Sequence, residues 1–280
     1  MLRTNAAATL LGISANTLRD WETRFGFPQP VRSAGGHRYY LLAEIEALAQ
    51  TLAEGHGSAA ALALAREGRS SASPAQRLVW ALRSFSEEAA DRLLEESLAL
   101  RSVERTIEEV LLTAVLVHAD ISAGSPVYDF TWRYAAGWLS ALKRLSPPAV
   151  RAEGIVLLDV WQAGSLDTLC AQALEVMLRR AGFRTLSLAP SLDRSRLELG
   201  MRTVAPRAVV LTGSGTSMEE LARLAYVVHK AVPDALVYYF RRAETPIDSR
   251  FVGCLGPSPL DAREELLGCV TRAVRGAAAL

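Results

Sequence analysis

The sequence predicts a chain of the α plus α/β class with several domains, and three observations lead to this prediction. Residues 1–70 contain short helical patterns and a glycine-tipped basic hairpin, and residues 74–146 are helical throughout. From residue 150, short apolar runs alternate with helical patterns at a steady interval. A length of 280 residues leaves room for two or three domains. We therefore expect domains at 1–70, 74–146 and 150–280.

The most informative stretch is residues 14–40, which begins with an amphipathic helix. Ser14 suits the N-cap position, and Leu18, Trp21 and Phe25 form an apolar stripe at spacings of three and four. Gly26 is expected to end the helix. The face away from the stripe carries polar and basic residues, namely Asn16, Thr17, Arg19 and Arg24.

A basic hairpin is predicted to follow this helix. Two prolines and the pair Gly35-Gly36 separate short extended runs, and His37 and Arg38 lie at the tip. A helix with Arg, Asn and Thr outward, followed by such a hairpin, suits a reader of the DNA major groove with an adjoining wing. The helix residues would contact base edges or phosphates, and the predicted wing contacts are Arg32, His37, Arg38 and Tyr39.

These residues resemble the winged helix-turn-helix domain of the MerR family of transcription regulators. The motif Leu-Arg-x-Trp-Glu-x-Arg-Phe-Gly-Phe-Pro starts at Leu18, and Arg-x-x-Gly-Gly-His-Arg-Tyr-Tyr starts at Arg32. The resemblance implies a first helix near residues 5–11 and a homo-oligomer, at least a dimer, on an inverted repeat of double-stranded DNA. The alternative is a helix and hairpin of some other small domain, which the basic residues on both elements disfavour.

Composition narrows the class of protein further. The formal net charge is only +1, but residues 1–40 contain five arginines against Asp20 and Glu22, and phosphate binding needs only such a local patch. Three widely spaced cysteines indicate neither a disulfide framework nor a metal knuckle. No apolar run approaches the roughly 20 residues of a membrane span, and no signal peptide is recognisable, so we expect no membrane partner and a cytoplasmic location.

The middle of the sequence predicts a helical module. Helices at 42–54 and 58–67 should complete the first domain, and the small polar residues 68–74 predict a linker. Four further helices with short connections suggest a four-helix bundle, and its last helix carries Trp132 and Trp138. The four helices are expected near residues 74–85, 86–98, 102–118 and 128–145.

The remaining sequence predicts a doubly wound parallel sheet. Ligands of such sheets bind at the carboxyl ends of the strands, near the point where strand order reverses. The expected strands are 154–159, 185–189, 208–212, 235–240 and 251–255. The expected helices are 165–181, 193–204, 217–231 and 259–274.

The order of these three parts resembles the cobalamin-dependent photoreceptor repressors of the CarH and LitR type. The signature residues are Leu178-Arg179-Arg180-Ala181-Gly182-Phe183, followed by Leu188-Ala189-Pro190. The resemblance implies a cobalamin-binding Rossmann-like domain in which a histidine after the first strand holds cobalt. Here Asp167 stands at that histidine position and Cys170 at the position of the family's glycine.

Two further departures accompany the missing histidine. The helical module of light-sensing relatives carries a tryptophan, nine further residues and then Glu-His, and none of the five tryptophans here is followed by Glu-His at that spacing. In addition, Arg241-Arg242 replaces the Gly-Gly that follows the fourth strand in relatives. We therefore predict a DNA-binding repressor that has lost cobalamin binding and has no cofactor. The alternative is a light-sensing repressor that depends on cobalamin or another tetrapyrrole.

The C-terminal half could serve oligomerisation or bind a protein or small-molecule effector. A different ligand, such as another tetrapyrrole, could occupy the pocket in which relatives bind cobalamin. An enzyme is disfavoured because the sequence shows no general acid/base pair, nucleophile motif or metal-ligand spacing. The residues predicted for such a pocket are Trp132, Trp138, Trp161, Asp167, Ser214, Arg241 and Arg242.

Overall fold

The structure is a computed structural model. It describes residues 1–32, 36–53, 55–122, 124–159, 164–188, 194–213, 218–240 and 252–277. The chain divides into two compact units, Met1–Arg101 and Ser102–Leu280. The border between them lies inside the helical stretch 74–146, and the three-domain boundaries remain a prediction.

The first unit is helical with a small three-stranded sheet. The sheet is antiparallel in the order β1-β3-β2, with Leu2 opposite Tyr40 and Arg32 opposite Arg38. The two-residue strand β1 was not predicted. The elements are β1 (Leu2–Arg3), α1 (Thr4–Leu10), α2 (Ala15–Phe25), β2 (Val31–Arg32), β3 (Arg38–Tyr40), α3 (Leu42–Ala53), α4 (Ser58–Ser71), α5 (Pro74–Arg83) and α6 (Glu87–Leu100).

The core of the first unit confirms the predicted stripe of the second helix. Leu18 is fully buried and Trp21 almost so, while Phe25 is half-buried against the same cluster. Tyr40 of β3 and Ile45 of α3 complete the core from the other side. The apolar face of α2 is thus covered, and Asn16, Arg19 and Arg24 on its polar face are exposed.

The predicted linker at 68–74 is wrong over its first four residues. Helix α4 continues to Ser71 because adding residues to an existing helix costs far less than starting one. A break follows at Ala72 and Ser73, where the Ser73 side chain accepts from the Gln76 backbone N–H and caps α5. Small polar residues therefore end a helix here without forming a flexible connection.

The second unit begins with helices and continues into the α/β sheet. The predicted helix at 102–118 contains a π-helical segment. The hydroxyl of Thr113, the residue that follows this segment, donates to the Glu108 carbonyl within it at 3.1 Å. The helical part comprises α7 (Val103–Arg105), the π-helical segment Thr106–Leu112, α8 (Thr113–Ser122) and α9 (Pro126–Leu145). The sheet part comprises β4 (Gly154–Asp159), α10 (Leu166–Arg180), β5 (Arg184–Leu188), α11 (Arg194–Val204), β6 (Ala208–Thr212), α12 (Met218–Ala231), β7 (Leu236–Phe240), β8 (Gly253–Cys254) and α13 (Pro259–Ala277).

The sheet is parallel and doubly wound, as predicted. Its order is β5-β4-β6-β7-β8, so strand order reverses between β4 and β6. Helices α11 and α12 pack together over one apolar layer, and α10 packs with α13 and also against α9. None of the described helices combines the length and the apolarity that a bilayer crossing requires.

Candidate functional site

Helix α2 is fixed at both ends by its own sequence. The Ser14 hydroxyl accepts from the Thr17 backbone N–H at 3.0 Å and shares a second hydrogen bond with the Thr17 hydroxyl at 2.8 Å. Gly26 ends the helix in the left-handed conformation, with φ of 65°, and donates its N–H to the Glu22 carbonyl. The helix predicted from residue types is therefore present with its predicted limits.

The polar face of α2 carries a preformed donor and acceptor pair. Arg19 Nη1 donates to Asn16 Oδ1 at 3.1 Å, and both side chains are exposed. Arg24 is also exposed, and its guanidinium lies 5.6 Å from the centroid of the Phe25 ring. Thr17 is half-buried, and its hydroxyl shares a hydrogen bond with the Ser14 hydroxyl. Asn and Arg side chains of this kind bind adenine and guanine edges in the major groove.

Glu22 joins α2, the predicted recognition helix, to β3, the second strand of the hairpin predicted as the wing. Arg38 Nε donates to Glu22 Oε2 at 3.0 Å and to Oε1 at 3.3 Å, and the Tyr40 hydroxyl donates to Oε2 at 3.2 Å. Burial and the nearby Glu22 carboxylate raise the pKa of Tyr40. Arg38 therefore positions the wing, while its terminal guanidinium nitrogens are further donors that could reach a phosphate.

The other predicted wing residues lie around the same small sheet. Arg32 and His37 are exposed, and Tyr39 is half-buried. The Arg3 guanidinium lies 6.0 Å from the centroid of the Tyr39 ring, which adds an exposed cation from β1 to the basic patch. Arg3 was counted in the local charge excess but was not assigned, because strand β1 was not predicted.

The second candidate site lies at the carboxyl edge of the parallel sheet. Asp159 ends β4 and Thr212 ends β6, and the Thr212 hydroxyl donates to Asp159 Oδ1 at 2.8 Å. These strands flank the point where strand order reverses. Burial raises the pKa of Asp159, although the hydrogen bond from Thr212 acts in the opposite direction. The nearby carboxylates of Asp167 and Glu175 raise this pKa further.

Helix α9 holds the loop that precedes α10. The Tyr128 hydroxyl donates to the Gly164 carbonyl at 2.8 Å, and Trp132 Nε1 donates to the Ser165 carbonyl at 2.8 Å. Burial raises the pKa of Tyr128, and the neighbouring Cys170 raises it further. Asp167 is half-buried in the first turn of α10, and the Cys170 side chain is only 1% exposed.

The structure brings together only part of the pocket predicted from the sequence. Trp132 is 6% exposed and supports the loop, and Trp138 on the same helix is half-buried. The described part of the chain contains no group of three His, Cys, Asp or Glu side chains arranged for a metal ion. Four predicted pocket residues lie outside the described residues: Trp161, Ser214, Arg241 and Arg242.

Helix α10 also carries a buried carboxylate, Glu175, that sequence reasoning missed. Glu175 of α10 is 2% exposed and accepts from Lys143 Nζ at 2.6 Å and from Arg179 Nε at 3.3 Å. Two hydroxyls of β5 also donate to it, from Thr185 at 3.1 Å and from Ser187 at 2.9 Å. These hydrogen bonds and ion pairs connect α9, α10 and β5. They compensate the buried negative charge of Glu175.

Comparison with known families bears on the first of these sites. Residues 2–52 match the family model described as MerR HTH family regulatory protein. The N-terminal domain is therefore a MerR-type DNA-binding domain. A stretch of 48 residues is 48% identical to the HTH-type transcriptional repressor CarA of Myxococcus xanthus, and it spans 17% of this chain and 17% of that repressor. This MerR-type domain includes α2 and the wing.

About two thirds of the chain is similar in fold to a solved corrinoid protein. The monomethylamine corrinoid protein of Methanosarcina barkeri superposes with a TM-score of 0.53 at 13% identity. The superposition covers 69% of this chain and 96% of that structure. At this identity the likeness concerns the fold, and it agrees with the α plus α/β class expected from the sequence.

Proposed function

We propose that the chain is a transcription regulator that represses by occupying its operator, and that it does so without cobalamin. One observation carries the DNA-binding part: the exposed Asn16 and Arg19 pair lies on a helix whose wing is fixed by Glu22. A rigid helix with base-reading side chains and an adjoining wing is the arrangement by which such domains bind the major groove.

The mode of binding follows from the size of the DNA-binding unit. One recognition helix reads only a few base pairs, and two copies on successive major-groove faces would read an inverted repeat. We propose a homo-oligomer, at least a dimer, in which residues 102–280 contribute the contacts between copies. Light scattering coupled to size-exclusion chromatography gives the mass, and a monomer at micromolar concentration would exclude this mode.

DNase I footprinting of the chain on its own upstream region tests the assignment. We expect a protected inverted repeat and a loss of about 5- to 100-fold in affinity for Arg19→Ala, which removes a base-edge donor. Arg105→Ala is the matched control, since Arg105 lies in the second unit with a side chain 67% exposed. If wild type and Arg19→Ala bind the operator with equal affinity, Arg19 does not contribute a contact to the DNA bases.

The proposal that cobalamin is not bound is supported by the loop before α10. The residue at the position of the family's histidine is Asp167, whose carboxylate is a poor match for cobalt, a metal that imidazole suits better. Cys170 places a buried side chain where relatives have glycine. In addition, Tyr128 and Trp132 hold the Gly164 and Ser165 carbonyls from the side of α9. These residues do not fit a cobalamin with its histidine ligand.

Reconstitution in the dark tests this proposal. The purified chain is mixed with adenosylcobalamin, desalted and examined by visible spectroscopy, with a histidine-containing corrinoid protein as positive control. We expect no retained corrin band and unchanged DNA affinity. A stoichiometric band would instead support the second candidate, a ligand-dependent light-sensing repressor, for which the fold shared with the corrinoid protein is the supporting observation.

We further propose that the second unit performs no catalysis and that the chain acts in the cytoplasm. At the carboxyl edge of the sheet the Thr212 hydroxyl donates to Asp159, and this hydrogen bond supports a structural role of the Asp159 carboxylate. A protein effector or a small molecule would then supply the regulatory signal through this unit.

A further inference from the structure

A cleft in the first unit has the features of a small-molecule site. It has a volume of about 660 Å³, which lies within the usual range of 300–1,000 Å³ for ligand pockets. Its walls come from the DNA-binding domain and from α5 and α6, all within Met1–Arg101. The residues that carry the argument are Gly26, Phe27, Arg77, Trp80, Ser84 and Arg92.

Ser84 is the residue that indicates a ligand. It is 9% exposed, and its Oγ is buried without a hydrogen-bond partner among the described residues. A buried hydroxyl without a partner costs free energy, so such a group in a cleft wall indicates an occupant that can hydrogen-bond to it. Ser84 ends α5, and the next residue, Phe85, has a φ of 54°, a conformation that non-glycine residues rarely adopt.

The charge and the apolar surface of the cleft define the class of occupant. Among its described residues the lining carries three arginines against two glutamates. Arg77 is paired with Glu96 at 2.9 Å, whereas Arg92 donates through Nε to the Glu88 carbonyl at 3.1 Å, a contact that leaves its charge uncompensated by that partner. Trp80 is half-buried in the wall and presents a surface on which a flat ring can stack.

We propose that this cleft binds a planar aromatic carboxylate, with the ring against Trp80 and the carboxylate between Arg92 and the Ser84 hydroxyl. Gly26, the residue that ends the recognition helix, also lines the cleft. An occupant therefore touches the end of α2, and its binding should alter the affinity for DNA. This second statement rests on the proposed DNA-binding function, whereas the binding site itself does not.

Calorimetric titration of the full chain with 2-naphthoate, in the absence of DNA, tests the site. We expect one site per chain with a Kd of about 10–100 µM, and binding at least about 5-fold weaker for the neutral 2-naphthamide. Ser84→Leu should abolish binding by filling the cleft. Arg92→Ala should weaken binding about 5- to 10-fold. Because Arg92 is exposed, this variant should keep the wild-type fold. Arg105→Ala should bind as wild type does.

The outcomes separate the site from its coupling to DNA. No saturable heat up to about 1 mM, or equal affinity of wild type, Arg92→Ala and Ser84→Leu, would show that the cleft holds only water. With the site established, saturating 2-naphthoate should change the Kd for the footprinted operator at least about 3-fold. An unchanged Kd for DNA would overturn the coupling alone, and a chain that binds 2-naphthoate but no DNA would overturn the proposed function alone.

Discussion

Glu22 of the recognition helix and Arg38 of the wing form an ion pair, with Arg38 Nε 3.0 Å from Glu22 Oε2. The two side chains are 18% and 31% exposed, so the pair is partly protected from water. The buried Tyr40 hydroxyl donates to the same carboxylate. The negative charge of Glu22 is thus paired inside the domain, where it fixes β3 to α2.

Replacing Glu22 should therefore destabilise the first unit. Glu22→Ala leaves the Tyr40 hydroxyl and the Arg38 guanidinium without their acceptor, and we expect a loss of about 1–3 kcal/mol in the free energy of unfolding. Glu22→Gln retains an acceptor oxygen and should lose less. Urea denaturation followed by circular dichroism measures both, and equal stability of Glu22→Ala and wild type would contradict the role of this carboxylate.

Arg38 should contribute to DNA affinity in a manner independent of sequence. We expect Arg38→Ala to weaken binding to specific and random duplexes alike, and to reduce the slope of log K against log salt by about 1. Fluorescence anisotropy at several salt concentrations gives the slope. Because Arg38 also contacts Glu22, thermal unfolding must show that the variant is folded; a folded variant with the wild-type slope would exclude a phosphate contact.

Glu175 should be among the most sensitive positions of the second unit. Glu175→Ala removes the acceptor of four side chains, including Lys143 and Arg179, and we expect a loss of about 3 kcal/mol. Glu219→Ala is the matched control, because its pair with Arg223 is exposed on both sides and should change stability by less than about 0.5 kcal/mol. Similar losses in both variants would contradict the buried network.

Asp159 should make stability depend on pH. Its pKa is raised above the ordinary value of 3.8, so the folded state holds a proton more tightly than the unfolded state does. Stability should fall as pH rises from the unfolded value through the folded one, and the penalty is fully present above both. Asp159→Asn keeps an acceptor for Thr212 and should raise Tm by a few degrees at pH 7, an advantage that disappears near pH 3.5. A variant with no gain at pH 7 would contradict this account.

The sequence was sufficient wherever short-range signals determine structure. Strand β6 has its predicted limits, 208–212, because the apolar run 208–211 lies between the breakers Pro206 and Gly213. The recognition helix was equally predictable, since Ser14 and Gly26 mark its ends. In the candidate interface, the exposed positions of Asn16, Arg19 and Arg24 followed directly from helical periodicity.

The interactions that were missed join residues far apart in the sequence. Glu22 contacts partners 16 and 18 residues away, and Glu175 contacts Lys143 at a separation of 32. A glutamate in an amphipathic helix is normally assigned to solvent, and no local pattern indicates that α9 covers this position. The helix through Ser71 and the π-helical segment were also missed, because both depend on hydrogen bonding that residue type alone does not specify.

The contacts between α9 and α10 have a consequence for anyone who expresses parts of this protein. A fragment that starts at residue 150, the predicted domain border, would lack Tyr128, Trp132 and Lys143. It would expose a helix whose residues 168–178 except Gln172 are buried in the intact unit, and it would remove a positive charge from beside Glu175. Such a fragment should aggregate, whereas one that begins at Ser102 retains the whole folding unit.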